Sequence, residues 1–242
     1  METKKELADS QVEKKSRPFW SEGRIEILVA ILLGVTAMLS AWASWIGSLH
    51  GGNQATNYTK SNNLASEGNS DYNAGLQMYL SDIMTWNTIM DYTFDLVLAE
   101  SEGDETKVEL LNEKLETYAQ QNASEILLEG LDWMDENDAD SPFDMPNITD
   151  KYFTLAQEEL VESQALLEEG MNDNAKGDAY NLVSVIYSLV MFLLGIVGIF
   201  KRLPNRAVVL LIAAVGLVLV TIYMCTLPLP TGFDPLSYFG LK

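Results

Sequence analysis

Three apolar runs limit what this chain can fold into. They cover residues 27–49, 182–200 and 207–227, and none of them contains Asp, Glu, Lys or Arg. Crossing about 30 Å of hydrocarbon takes about 20 helical residues, so each run is long enough to span a bilayer. Ala41-Trp42-Ala43 resembles a signal-peptide cleavage site, but the apolar run continues through Leu49, which favours an uncleaved anchor. The sequence predicts an integral membrane protein with three transmembrane helices.

Basic residues predict how these helices are oriented. Residues 1–24 carry six Lys or Arg, and the connector 201–206 carries three. Short loops rich in Lys and Arg remain in the cytoplasm. We therefore expect residues 1–26 and 201–206 to be cytoplasmic, and residues 50–181 and the tail 228–242 to lie outside. The predicted location is the plasma membrane, crossed several times, with the N-terminus cytoplasmic and the C-terminus outside.

Charge and hydrophobicity are segregated along the chain. The chain is 48% hydrophobic and has a net charge of −20. Residues 50–180 contain 28 Asp and Glu against five Lys and no Arg. Such a balance makes nucleic acid an unsuitable partner, because phosphate binding requires clustered Lys and Arg. It fits cations or a basic protein partner, or simply a solvated surface that keeps this region soluble.

Residues 50–181 have helical patterns and no comparable strand pattern. Gly51 and Gly52 predict a break after the first span. The following apolar positions recur at steps of three and four and predict one buried helix face: Tyr72, Leu76, Tyr79, Ile83, Trp86, Met90, Phe94 and Val97. A turn is expected at residues 100–105, and an acidic loop at residues 132–142. A further helix is expected to start after Thr149 or Asp150 and to run unbroken into the second span. The predicted fold is all-α, with an acidic helical bundle outside the membrane.

Two phrases carry a family resemblance. One is Trp45-Ile46-Gly47-Ser48 followed by Gly52-Asn53-Gln54-Ala55-Thr56-Asn57-Tyr58, and the other is Ser141-Pro142-Phe143-Asp144-Met145-Pro146. With the order of helices and spans, they resemble a family of prokaryotic three-span membrane proteins. The resemblance implies this topology and brings no established reaction or ligand.

Residues able to carry chemistry are few. His50 is the single histidine and Cys225 the single cysteine, and no phosphate loop, zinc spacing or nucleophile elbow is present in the sequence. We therefore expect no enzymatic activity and no cofactor. The acidic loop suggests at most a Ca²⁺ site at Asp135, Asp138 and Asp140, because Ca²⁺ prefers several oxygen ligands. The EF-hand spacing is not met there, and a solvated turn is the alternative.

Small and hydroxyl residues mark the spans. Ser40, Ser44 and Ser48 lie on one face of the first span, where they could pack against another helix or line a pore. N-glycosylation sequons begin at Asn57, Asn122 and Asn147. They are either glycosylation sites or chance matches to the motif. The preferred hypothesis is a non-enzymatic, self-associating scaffold, interaction or sensory protein that presents an acidic outer domain. The alternative is a homo-oligomeric cation channel with an acidic vestibule.

Overall fold

A computed structural model describes residues 22–200 and 203–238, and this part of the chain is helical without a strand. The helices are α1 (Glu22–Glu102), α2 (Glu105–Asn122), α3 (Glu125–Asn137), α4 (Ile148–Lys151), α5 (Thr154–Ile196), α6 (Leu203–Thr226) and α7 (Pro235–Tyr238). Short 3₁₀ turns cover Pro142–Asp144 and Val197–Ile199. Helices α1, α5 and α6 are long and apolar enough to cross a membrane. The all-α class and the three candidate spans are thus as predicted.

The contacts within the chain define two compact units. We call residues up to Gln54 and from Met171 onward the apolar unit, and Ala55–Gly170 the acidic unit. The acidic unit carries 26 Asp and Glu against four Lys. Helices α1 and α5 contribute residues to both units.

In the apolar unit, α1, α5 and α6 share one core. Its buried positions recur every three or four residues along α5 and α6, which places them on one face of each helix: Tyr180, Val183, Tyr187, Val190, Leu194, Leu210, Ala213, Leu217, Val220 and Met224. Ala43 and Ile46 of α1 complete this core. Other large apolar side chains, such as Leu189 and Leu219, are exposed. That distribution suits helices that bury one face and present the other to lipid.

In the acidic unit, α1 and α5 approach closely through small residues. Ser61, Gly68 and Gly75 recur at intervals of seven on α1 and are buried. A Cβ atom on Gly75 would clash with the backbone carbonyl oxygen of Tyr152, just before α5. The hydroxyls of Ser61 and Ser163 each donate to the other residue's carbonyl at 2.8 Å. These contacts require small side chains, because any larger group would force the two backbones apart.

The predicted buried face of α1 is wrong in this unit. None of its eight apolar positions is buried: Tyr79, Ile83, Trp86 and Met90 are half-buried, and Tyr72, Leu76, Phe94 and Val97 are exposed. The buried positions instead include Gly68, Gly75, Asp82, Thr85 and Ile89. The neighbouring backbone approaches the side of α1 that carries small and polar residues. The pattern of apolar residues therefore does not predict which side of α1 is buried.

The predicted helix break at Gly51-Gly52 is also wrong, because α1 continues through both glycines. Glycine costs about 0.5–1 kcal/mol in a helix interior relative to alanine. On the side facing α5, Gly47 lies against Tyr180 and Gly177, and His50 is fully buried. These contacts hold the segment helical, since packing overrides a weak local preference.

The other predicted helix and loop boundaries agree in part with the structure. The turn predicted at residues 100–105 is narrower than expected: only Gly103, with a φ of 71°, and Asp104 lie between α1 and α2. Helix α3 extends to Asn137, so only the last part of the predicted acidic loop is non-helical. Helix α5 begins at Thr154, after the short α4 that starts at Ile148. It then runs to Ile196 without interruption, as predicted.

Candidate functional site

The most unusual arrangement in the apolar unit is a buried, hydrogen-bonded pair of ionisable side chains. His50 Nδ1 of α1 lies 2.8 Å from Asp173 Oδ1 of α5. The histidine is 0% exposed and the aspartate 3%. Burial of two ionisable groups costs free energy unless the groups pair and form hydrogen bonds. This buried polar contact is therefore a candidate functional site.

The segment after α6 completes this polar junction. His50 Nε2 lies 3.2 Å from the carbonyl oxygen of Pro228, and the hydroxyl of Tyr180 donates to the carbonyl of Leu227 at 3.3 Å. The rings of His50 and Tyr180 are stacked with their centroids 5.8 Å apart. We call His50, Asp173, Tyr180 and the Leu227–Pro228 backbone the polar junction. It joins α1, α5 and the end of α6.

The hydrogen-bond partners define how many protons the junction holds. A backbone carbonyl only accepts, so Nε2 must carry a proton to bond Pro228. A second proton is required between Nδ1 and the Asp173 carboxylate, whichever atom carries it. Both contacts together therefore require two protons on the imidazole and the carboxyl group.

An aromatic cluster fixes the same C-terminal segment. The ring of Phe233 lies edge-on to Trp42 at 6.1 Å and to Trp45 at 5.7 Å. Gly232 adopts a φ of 73°, which glycine tolerates without strain. Near the end of the first span, Trp42 and Trp45 are expected in an interfacial aromatic belt. The tail aromatics are expected to rest at the membrane surface or against the outer domain. Phe233 rests on these two tryptophans; Phe239 lies outside the described residues.

A second buried network lies in the acidic unit. The carboxylate of Asp82 is 1% exposed and accepts from the Ser124 N–H at 3.0 Å, from the Ser124 hydroxyl and from the Tyr152 hydroxyl at 2.8 Å. Ser124 also caps α3 by accepting from the Leu127 N–H. Burial, followed by the bond to Asp82, raises the pKa of Tyr152. This network ties α1 to the start of α3 and to the segment before α5.

A third group consists of carboxylates without counter-charges. Partial burial raises the pKa of Glu159, and the nearby carboxylates of Asp71, Glu67 and Glu162 add to that effect. One carboxyl oxygen of Glu159 is buried and has no hydrogen-bond partner among the described residues. The group therefore stores electrostatic repulsion that protonation relieves.

The predicted Ca²⁺ ligands are separated by local structure. Asp135 lies within α3, Asp138 ends that helix in the left-handed conformation, and Asp140 follows in the bend. All three are exposed. Over the described residues, no group of three or more His, Cys, Asp or Glu is arranged to hold a metal ion. The Ca²⁺ site stays a prediction.

The serines of the first span make contacts within the chain. The Ser44 hydroxyl lies 3.0 Å from the Ser184 hydroxyl of α5, and the latter is 3.5 Å from the Ser40 carbonyl oxygen. Ser48 is exposed. Two of the three positions therefore have the helix-packing contacts that the sequence allowed as one of two roles.

Sequence reasoning missed Asp173 and Asp82, the two buried carboxylates. They are two among 35 acidic residues, and composition does not distinguish them. Spacing provides a signal: Asp82 continues the seven-residue interval of Gly68 and Gly75, and Asp173 lies between Gly170 and Gly177. A carboxylate in a series of small residues indicates a buried position.

Comparison of this chain with protein families, with curated proteins and with solved structures found no match. The resemblance to a prokaryotic three-span family therefore stays a prediction, and function is argued from the geometry alone.

Proposed function

We propose that this chain is a non-enzymatic, multi-pass membrane protein that serves as a scaffold or interaction protein. The acidic unit faces outward from the plasma membrane, the N-terminus is cytoplasmic, and the partner is a basic protein. The observation that carries the proposal is an exposed row of large apolar side chains on the acidic unit.

This row, the α1 apolar stripe, consists of Leu76, Leu80, Met84, Phe94 and Leu98. Its members recur at intervals that place them on one helix face. Met84 is 70% exposed, Phe94 71% and Leu98 52%. The stripe has two parts, Leu76 to Met84 and Phe94 to Leu98. Exposed apolar patches rimmed by polar groups are typical of interaction sites.

The charges beside the stripe favour a basic partner over a second copy. Asp91 is exposed within the gap of the stripe, and Asp95 follows it one turn on. From Ser61 to Glu102, α1 carries seven carboxylates and no Lys or Arg. A second acidic unit docked on this face would add like charges, whereas Lys or Arg beside an apolar face would pair with them. Self-association through the spans is a separate prediction.

The link to the membrane follows from α1 and α5. Each is one uninterrupted helix that contains both a candidate span and residues of the acidic unit. In this proposal a partner bound to the acidic unit is thereby anchored to the bilayer. The polar junction strengthens that anchor, because it holds α1, α5 and the segment after α6 together.

Site-directed photocrosslinking in native membranes tests the proposal. A photoreactive residue replaces Phe94, and the matched control replaces Val161, which is 68% exposed on α5 of the same unit. We expect adducts with a basic protein from position 94 that disappear in Leu80→Ser, and few adducts from position 161. Equal adducts from both positions, or none from position 94, would contradict the proposal. Adducts with a second copy would reassign the stripe to self-association.

The channel hypothesis gains no specific support. The Ser44 hydroxyl bonds Ser184 within one chain, which accounts for this serine by helix packing. Single-channel recording of the reconstituted protein, with Ser44→Leu as the variant, remains the direct test of that alternative.

A further inference from the structure

An apolar groove lies between α1 and α6 in the apolar unit. Leu28 and Leu32 line it from α1, and Ala207, Leu210, Leu211 and Ala214 line it from α6. Its volume is about 290 Å³. Leu28 and Leu211 are 40% and 64% exposed, so the groove is open to whatever surrounds these helices. Since both helices are candidate membrane spans, that surrounding is lipid.

A buried arginine on α6 adjoins the residues that line this groove. Arg206 directly precedes Ala207 and lies one turn before Leu210, both of which line the groove. Its side chain is 9% exposed, and its Nε has no hydrogen-bond partner among the described residues. A buried donor without an acceptor is costly, so its presence requires an explanation.

The arginine is also incompletely neutralised. Its closest carboxylate is Glu26, with 3.6 Å between Arg206 Nη2 and Glu26 Oε1. That distance exceeds a charge-assisted hydrogen bond, and the Glu26 side chain is 67% exposed. The exposed Arg24 lies one turn from the groove-lining Leu28. Guanidinium N–H groups near this groove therefore remain available to an acceptor outside the described residues.

We infer that the groove and Arg206 form a binding site for one anionic phospholipid. An acyl chain lies in the groove, and the phosphate oxygens accept hydrogen bonds from the guanidinium of Arg206. The guanidinium turns from Glu26 towards the phosphate, a side-chain rotation that leaves the helices in place. Basic pockets between membrane helices are suited to anionic headgroups, and the basic connector beside α6 places Arg206 at the cytoplasmic leaflet.

The apolar lining identifies a phospholipid rather than a free phosphate. Inorganic phosphate would satisfy the arginine but would leave the groove unfilled. A phospholipid satisfies both parts because its phosphate and acyl chain are covalently joined. The lipid site is independent of the partner proposed for the acidic unit, since it involves residues of the apolar unit alone.

The test measures lipid retained by the full chain after extraction from bilayers of equal phosphatidylglycerol and phosphatidylcholine, by native mass spectrometry. We expect one retained phosphatidylglycerol in preference to phosphatidylcholine. Arg206→Gln lowers this retention about tenfold, because it removes a charge-assisted contact. Ala214→Phe fills the groove and lowers retention of both lipids. Leu189→Phe, an exposed position on α5, serves as the matched control and changes neither.

Three results would overturn the site. Retention could be unaffected by both Arg206→Gln and Ala214→Phe. Arg24→Gln could lower it as much as Arg206→Gln, which would indicate diffuse surface charge. Millimolar inorganic phosphate could displace the lipid fully, which would assign the arginine to free phosphate. Helical content by circular dichroism confirms in each case that the variant is folded.

Discussion

The ring of His50 and the carboxylate of Asp173 are separated by 123 residues in sequence and by 2.8 Å in space. The contact joins two helices that each contain a candidate membrane span, and it is fully enclosed. A buried pair of this kind contributes less net stability than its geometry suggests, because both groups lose their hydration. Breaking the pair is nevertheless expensive, because the remaining group stays buried without its partner.

This relationship predicts strong coupling between the two residues. His50→Ala or Asp173→Ala alone should destabilise the protein by about 3–5 kcal/mol, since each leaves the other buried polar group without its partner. The double variant should lose much less than the sum of the two. Chemical unfolding of the full chain in detergent micelles, followed by tryptophan fluorescence, measures both effects. Asp178→Asn, an exposed position on the same helix, should have little effect. Additive losses would show that the pair is not a coupled unit.

The carboxylates around Glu159 predict a pH dependence of stability. The raised pKa means that the folded state holds this proton more tightly than the unfolded chain does. Between the ordinary and the raised pKa the folded state therefore binds more protons, and stability falls as the pH rises through that window. Glu159→Gln should raise the Tm at neutral pH and should reduce the gain on acidification. Glu158→Gln, its exposed neighbour, is the control. A neutral-pH Tm that is unchanged or lower in Glu159→Gln would contradict this prediction.

Alanine substitution at two glycines of α1 should change the stability of the protein in opposite directions. Gly75→Ala places a methyl group against the backbone carbonyl of Tyr152, and such overpacking costs about 1–3 kcal/mol or more. Gly51→Ala meets no atom within 4 Å. It should stabilise the helix by about 0.4–1 kcal/mol, because alanine loses less backbone entropy. Thermal unfolding of both variants provides the comparison. A destabilised Gly51→Ala would indicate that the glycine pair does bend or open in solution.

The Asp82 network predicts that Tyr152→Phe lowers the stability of the protein at neutral pH and that this loss becomes smaller at alkaline pH. Tyr152→Phe removes one donor from the buried carboxylate and should cost about 1–3 kcal/mol at pH 7. The pKa of Tyr152 is raised above its ordinary value. The wild-type chain therefore loses stability as the pH rises past about 10, where unfolded tyrosine ionises. The difference between the two proteins should narrow there. Tyr72→Phe, at an exposed tyrosine of the same unit, controls for the general effect of alkali. A constant difference would exclude the phenolic proton as its cause.

Features that depend on composition over a short stretch can be predicted from the sequence. Three runs without charged residues predict three spans, because a bilayer imposes one length and one polarity on each. The turn near Gly103 and the unbroken course of α5 are likewise local. The acidic balance also restricts the choice of partners, since charge does not depend on how the chain folds.

Which helix surfaces pack against each other depends on tertiary contacts. The side of α1 with Gly75 and Asp82 is buried while Phe94 is exposed, because a neighbouring backbone can approach closely only where side chains are small. In the apolar unit, separate contacts between Gly47 and Gly177 keep α1 helical through Gly51, and Asp173 meets His50 there. Such pairings join residues far apart in sequence, and their free energy depends on the shape of both partners. No pattern within one segment contains that information.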